Sequence, residues 1–312
     1  MAAHTVSPLA PAAFPELPEI GGLTLHTATL GIRYKGRPDV LLAELASGTS
    51  VAAVFTTSTT ASAAVRWGRE ALRGGTARAF LVNAGNSIAF TGKAGEQFVA
   101  DEVAATTKLL SCEKNEVFTA STGVIGEPAT ANRITDALPA MLEAKASWSD
   151  AARAIMTTDT FAKGAAATSE IGGTPVKIAG IAKGSGMIEP NMATMLAFVF
   201  TDAKIPHATL QAMLADCNGR SFNAITVDSD TSTSDTLLCA ATGAAGNAEF
   251  DDANGADLAG FKTALEAVLV DLAHQIVRDG EGASKFITVN VTSALNDAEA
   301  KTAAKAIANS PL

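Results

Sequence analysis

Thr194 stands between Ala193 and Met195 in KGSGMIEPNMATMLAF, residues 183–198, a hydroxyl at the head of an apolar run. A threonine hydroxyl is a weak nucleophile unless a base sits beside it, and cutting the chain just before it frees its own α-amino group to be that base. Such an amine titrates near about 7.7 to 8.0 in model peptides, so a useful fraction is neutral at cellular pH. Small Ala193 crowds a cut there very little. Other polar residues sit in glycine-rich segments: Asn83 and Asn86 in VNAGNSIAFTG, Thr122 and Gly123 in STGVIG, Thr157 to Thr160 in MTTDT, and Lys183 in KGSGM. Together they suit acyl transfer, because backbone and hydroxyl donors such as Thr122 and Gly123 can meet the oxyanion that develops during attack. Taken singly, each has a plainer reading. Thr194 is then a β-branched strand residue, Lys183 a strand-end lysine, and Glu281 in DGEGA a loop carboxylate.

Rival chemistries lack their residues. The nearest dinucleotide fingerprint, GSGMIE from Gly184, has no third glycine, and no GxxxxGK[ST] phosphate loop occurs. A nucleophile elbow fails because Ser185 has Lys183 where GxSxG needs glycine, and Ser221 sits in GRSFN. His4, His26, His207 and His274 read as structural or solvated. The acidic loop VDSDTSTSDT offers Asp228 and Asp230 to calcium, yet it lacks the sixth-position glycine and has Cys239 at the twelfth, so it reads as a turn cluster and no metal is expected. Cys112, Cys217 and Cys239 form no CxxC pair, which points to reduced thiols. A net charge of −9 argues against nucleic acid. Residues 1–20, broken by Pro8, Pro11, Pro15 and Pro18 and without a basic start, read as a loosely structured lead-in and not a signal peptide. No apolar run approaches the roughly 20 residues of a membrane span. The expectation is a soluble cytoplasmic protein without membrane or nucleic-acid partners.

The elements that position these residues follow from periodicity. Strands are expected at 51–55, 63–67, 79–82, 116–120, 195–201, 223–227 and 286–291, with a strand pair inside TPVKIAGIAKG. Helices are expected at 93–110, 134–145, 150–156 and 208–217. The clearest helix carries Leu258, Phe261, Leu265, Val268, Leu269, Leu272 and Ile276 at i, i+3, i+4 spacing, with Gly280 as its stop. A last helix opens at Asn296 with Glu299 three residues on. Helices alternating with strand clusters make the class α/β, or α+β in layers.

KGSGMIEPNMATMLAF, STGVIGEP, MTTDTFAKGA, FNAITVDSDTSTSDT and VRDGEGASKFITV closely resemble the ornithine acetyltransferases, the bifunctional glutamate N-acetyltransferases of arginine biosynthesis. The likeness runs from about Gly21 to the last residue, and ATML within the long motif is its most specific part. The resemblance implies a DmpA/ornithine-acetyltransferase fold of the N-terminal-nucleophile type, made as a precursor that cleaves itself between Ala193 and Thr194. Residues 21–193 then form an α chain and 194–312 a β chain, associated as an α2β2 heterotetramer. It implies Thr194 as nucleophile, Thr122 and Gly123 as the oxyanion pair, and Thr157, Lys183, Thr194 and Glu281 as substrate-binding positions. N2-acetylornithine would acetylate Thr194 and glutamate would take the acetyl group, with no cofactor and with acetyl-CoA open as a second donor. Alternatives are a self-cleaving amidase or aminopeptidase of the same fold, and an inactive remnant. By this resemblance family chains continue past the point where this sequence ends, adding an Asn and a Thr or Ser that help close the pocket, so the expectation is that the C-terminal part of the family β chain is missing here. The loop VDSDTSTSD departs from the family's VDGDTSTND at Ser229 and Ser234.

Overall fold

The computed structural model describes residues 5–189 and 195–311. Its elements run β1 (Leu23–Ala28), β2 (Val40–Phe55), α1 (Ala63–Ala71), β3 (Thr76–Asn86), α2 (Gly92–Leu110), β4 (Val117–Val124), α3 (Asn132–Met141), α4 (Trp148–Ala154), β5 (Lys163–Ile171), β6 (Thr174–Lys183), β7 (Leu196–Thr201), α5 (His207–Arg220), β8 (Thr236–Ala241), α6 (Ala256–Arg278) and α7 (Asp297–Ala308). The strands form one hydrogen-bonded sheet in the order β4-β3-β2-β8-β7-β6-β5, with β1 paired to β2 off this path.

The long strand β2 shapes the molecule. Its first part pairs with β1 and β3, its second with β8, and the register slips between Glu44 and Thr49, where Gly48 takes a φ of 79°. Such an irregularity bends a strand and sharpens its twist. The two parts of the sheet therefore face each other across a shared interior. Phe80 of β3 lies 6.2 Å from Phe198 and 5.6 Å from Phe200 of β7, ring centre to ring centre. Strand alternation supplies the other faces. Ala79, Leu81 and Val117 point outward under α1, α2 and α3, whereas Val199, Leu237 and Cys239 lie under α5 and α6. The result is helix, sheet, sheet, helix, with the expected stripe of α6 wholly buried.

Residues 5–20 carry no helix or strand, yet they are docked. Trp148 of α4 packs 5.8 Å from Phe200 and donates from Nε1 to Pro18 O at 3.1 Å, and Phe14 lies so close to Gly164 that a methyl there would stand 2.7 Å from its ring. Among the described residues no helix is long and apolar enough to cross a membrane.

Several sequence expectations need correction. Residues 63–67 form a helix, not a strand: Ser62, extended at φ −61°, caps it by accepting from Val65 N, and α1 buries Ala64 and Val65. Residues 223–227 hold a short 3-10 turn (Phe222–Ala224) in place of a strand. Residues 286–291 form no strand, because no described strand pairs with them. TPVKIAGIAKG is one strand, β6, whose hairpin partner is β5. Gly172 and Gly173, at φ 55° and 81°, make the two-residue turn, which needs positive φ at both positions. β8 is a strand that the sequence expectations lack: its six residues TLLCAA show no apolar/polar alternation, since all six are buried at the centre of the sheet between β2 and β7.

Candidate active site

Thr122 and Gly123 lie near the end of β4, opposite Ala84 and Gly85 of the parallel strand β3. Gly123 takes a φ of 128°, and a Cβ there would stand 2.4 Å from the carbonyl carbon of Gly85. Only glycine fits so close a backbone approach. Lys183, the last residue of β6 on the facing part of the sheet, is 2% exposed and donates from Nζ to Thr122 Oγ1 at 3.3 Å. Thr122 thus accepts through a lone pair and keeps its own O–H to donate elsewhere. Burial pushes the Lys183 amine below its ordinary pKa, while Asp159, Asp235 and Glu281 draw it back toward the charged form.

A buried charge network fixes the surroundings. Lys163, the first residue of β5, holds Asp159 at 2.7 Å and Asp279 at 2.5 Å, all three side chains fully shielded from solvent. Asp159 also accepts from Thr157 N at 2.9 Å and from Gly184 N at 2.6 Å, so one carboxylate ties the Thr157 loop to the residue after Lys183. Burial opposes ionisation of Asp159, but the Lys163 and Lys183 ammoniums and its hydrogen bonds outweigh it and hold it well below the usual carboxylate range. Asp279 accepts from Thr160 N and from Thr160 Oγ1, and its carbonyl accepts from Ser185 Oγ at 2.6 Å. Glu281 follows on an exposed turn, its amide donating to Ser185 O at 3.3 Å and its carboxylate lying against Gly186, where a Cβ would be 2.8 Å from Oε1.

The acidic loop flanks the same place. Asp228 accepts from Met187 N and Ile188 N, and from Asp230 N in an Asx turn, which is the turn cluster its composition suggests. Asp230 O accepts from Glu189 N, and Asp235 Oδ1 accepts from Met195 N at 2.9 Å. This loop therefore grips both Glu189 and Met195, the described residues on either side of the segment bearing Ala193 and Thr194. Those two residues lie outside the described ones. Burial raises the Asp235 carboxyl well above its ordinary pKa despite the Met195 bond and Lys183.

The structure thus brings together Thr122, Gly123, Lys183 and Thr157, links Glu281 to them through Ser185 and Gly186, and sets Met195 beside them. Sequence reasoning passed over Lys163, Asp279 and Asp235, and took in Asp159 only as part of the polar run Thr157 to Thr160. Asp159 and Lys163 are four apart but outside any helix, so no periodicity marks them, and Asp279 meets them only through the fold.

The ArgJ family profile matches residues 24–312. The arginine biosynthesis bifunctional protein ArgJ of Ruegeria pomeroyi is 56% identical over 98% of this chain and 75% of its own length. The protein of the same name from Gluconobacter oxydans is 54% identical over 98% of this chain and 73% of its own. Among solved structures, the arginine biosynthesis bifunctional protein argJ of Bacillus halodurans superposes with a TM-score of 0.50 at 30% identity, over 56% of this chain and 92% of that one. The L-aminopeptidase D-Ala-esterase/amidase of Ochrobactrum anthropi, described as a variant of the Ntn hydrolase fold, reaches a TM-score of 0.51 at 12% identity, over 86% of this chain and 89% of that one. The latter is a likeness of fold alone.

Proposed function

Because this chain belongs to the ArgJ family, we propose that it is an acetyltransferase of arginine biosynthesis, moving the acetyl group of N2-acetylornithine to glutamate. The observation that carries the mechanism is the Lys183 to Thr122 hydrogen bond, which joins the two facing parts of the sheet beside Met195, the residue after Thr194.

In this reading the chain cuts itself between Ala193 and Thr194, and the freed α-amine takes the proton of Thr194 Oγ as the oxygen attacks the acetyl carbonyl. The Thr122 O–H, polarised by the Lys183 ammonium on its lone pair, and the Gly123 peptide N–H stabilise the tetrahedral oxyanion. Collapse breaks the amide C–N bond, and the α-amine returns the proton to the departing nitrogen of ornithine. Glutamate then enters, and its neutral amine attacks the Thr194 ester, releasing N-acetylglutamate and restoring the threonine. Lys183 and Thr157 serve the substrate carboxylate side, and Glu281 meets an ammonium, charge pairs that are strong where water is excluded. No cofactor enters the scheme. Acetyl-CoA as an alternative donor is read by whether it acetylates glutamate without N2-acetylornithine. The two pieces stay together as α2β2 in the cytoplasm.

The test is steady-state transfer. Varying N2-acetylornithine at several fixed glutamate concentrations should give parallel double-reciprocal lines, and Lys183→Ala should lower kcat/KM by about 10²-fold or more, as loss of an oxyanion-supporting group does. Release of free acetate without N-acetylglutamate would reassign the enzyme to an amidase, and unaltered kinetics in Lys183→Ala would remove that residue from the site.

A further inference from the structure

The docked lead-in reaches further than the sheet edge. Ser7 donates from its backbone N to Thr160 Oγ1 at 2.9 Å and from its own Oγ to Arg278 O at 2.6 Å, and Leu9 N returns to Ser7 Oγ at 3.2 Å. Ser7 thereby bridges the two elements that carry the candidate site, the 157–160 loop and the end of α6 leading to Glu281. Between them lies a pocket of about 330 Å³, whose walls include Val6, Ser7, Thr160, Asp279 and Glu281.

The pocket's chemistry is lopsided. Asp279 is committed to Lys163 and Thr160, whereas Glu281 makes no ion pair among the described residues and stands exposed. Val6 is 57% exposed, a large apolar side chain left in water in the lining of the same pocket. A carboxylate and an uncovered valine lining one pocket fit a cation carried on an aliphatic stem: the methylenes cover the valine and the ammonium meets Glu281.

We infer that residues 5–8 form a wall of the amino-acid pocket, with Val6 covering the methylene stem of an ω-ammonium amino acid whose cation pairs with Glu281. This rests on the proposed function, in which Glu281 meets a substrate ammonium, and adds to it a specificity determinant from the N-terminal segment, which precedes the family profile match at residue 24.

Isothermal titration of the purified chain with ornithine and with norvaline, which keeps the stem and lacks the ammonium, separates the possibilities without needing turnover. Val6→Lys places an ammonium on the wall and should weaken ornithine binding at least tenfold while norvaline changes little. Val6→Glu adds a second carboxylate and should tighten ornithine. Because Val6 is exposed, neither change threatens folding, which the melting temperature checks. Equal effects on both ligands, or none, in a chain that does bind ornithine would overturn the wall alone. An unsubstituted chain that fails to bind ornithine would instead overturn the functional reading beneath it.

Discussion

Lys163 is the residue on which the site's geometry turns, since it neutralises two carboxylates that are wholly out of water. Removing one partner of a buried ion pair leaves an uncompensated charge, which costs about 3–5 kcal/mol. Lys163→Met should lose stability of that order in urea unfolding, and a loss under about 1 kcal/mol would mean the network does little. At Lys183 burial lowers the pKa. Below that lowered value it is an ammonium able to donate to Thr122, and above it the charge is gone, so kcat/KM for N2-acetylornithine should fall on the alkaline side earlier than an ordinary lysine would titrate. In Lys183→Arg any residual activity should show that limb moved to higher pH, since a guanidinium does not titrate there. Glu102, on the inner face of α2, is 1% exposed with both carboxyl oxygens unpartnered, and burial raises its pKa well above normal. Folding therefore favours its protonated form, and stability declines as pH climbs from the unfolded carboxyl's value toward the raised one. Glu102→Gln should flatten that decline by up to about 1.4 kcal/mol per pH unit, measured by denaturation at several pH values; an unchanged slope would place the titration elsewhere.

At the scale of elements, the pairing of Gly85 with Gly123 holds β3 and β4 closer than any side chain permits. Gly123→Ala adds a methyl 2.4 Å from a backbone carbon at a φ of 128°, so the strand end must shift and transfer should be abolished. Full activity in that variant would show that the close approach is dispensable. The Asn296 cap of α7, which accepts from Glu299 N at 2.9 Å, is a milder case, and Asn296→Ala should cost about 1 kcal/mol of local stability by hydrogen exchange. That cap, the α6 stripe and the helix at 93–110 were legible because their signals are local and periodic. Residues 63–67 misled because AAVRW is rich enough in apolar residues to pass for a strand, while the deciding feature, the Ser62 cap, lies one residue before it. The strand pattern at 286–291 is a real alternation, but a strand also needs a neighbouring backbone, which sequence periodicity cannot supply. In the same way Thr122, Gly123 and Lys183 stand out as polar residues in glycine-rich segments, but their roles, and Glu281 altogether, came through a family likeness, whereas Asp159, Lys163 and Asp279 act only once the fold has brought them together.

For the molecule as a whole, bending one sheet through β2 places Thr122 and Lys183 on opposite walls of a shared interior, with the acidic loop gripping Glu189 and Met195. The same arrangement sets an acid limit on the fold. Asp159 ionises far below an unfolded aspartate, so its contribution to stability is present above about pH 4 and drains away as pH falls toward its depressed value. The most direct test of the account is the intact mass of the purified chain under denaturing conditions, before and after exposure to N2-acetylornithine. The account predicts two pieces, residues 1–193 and 194–312, with the second gaining one acetyl group at its N-terminal threonine. A single uncut chain, or an acetyl group carried anywhere other than Thr194, would contradict it.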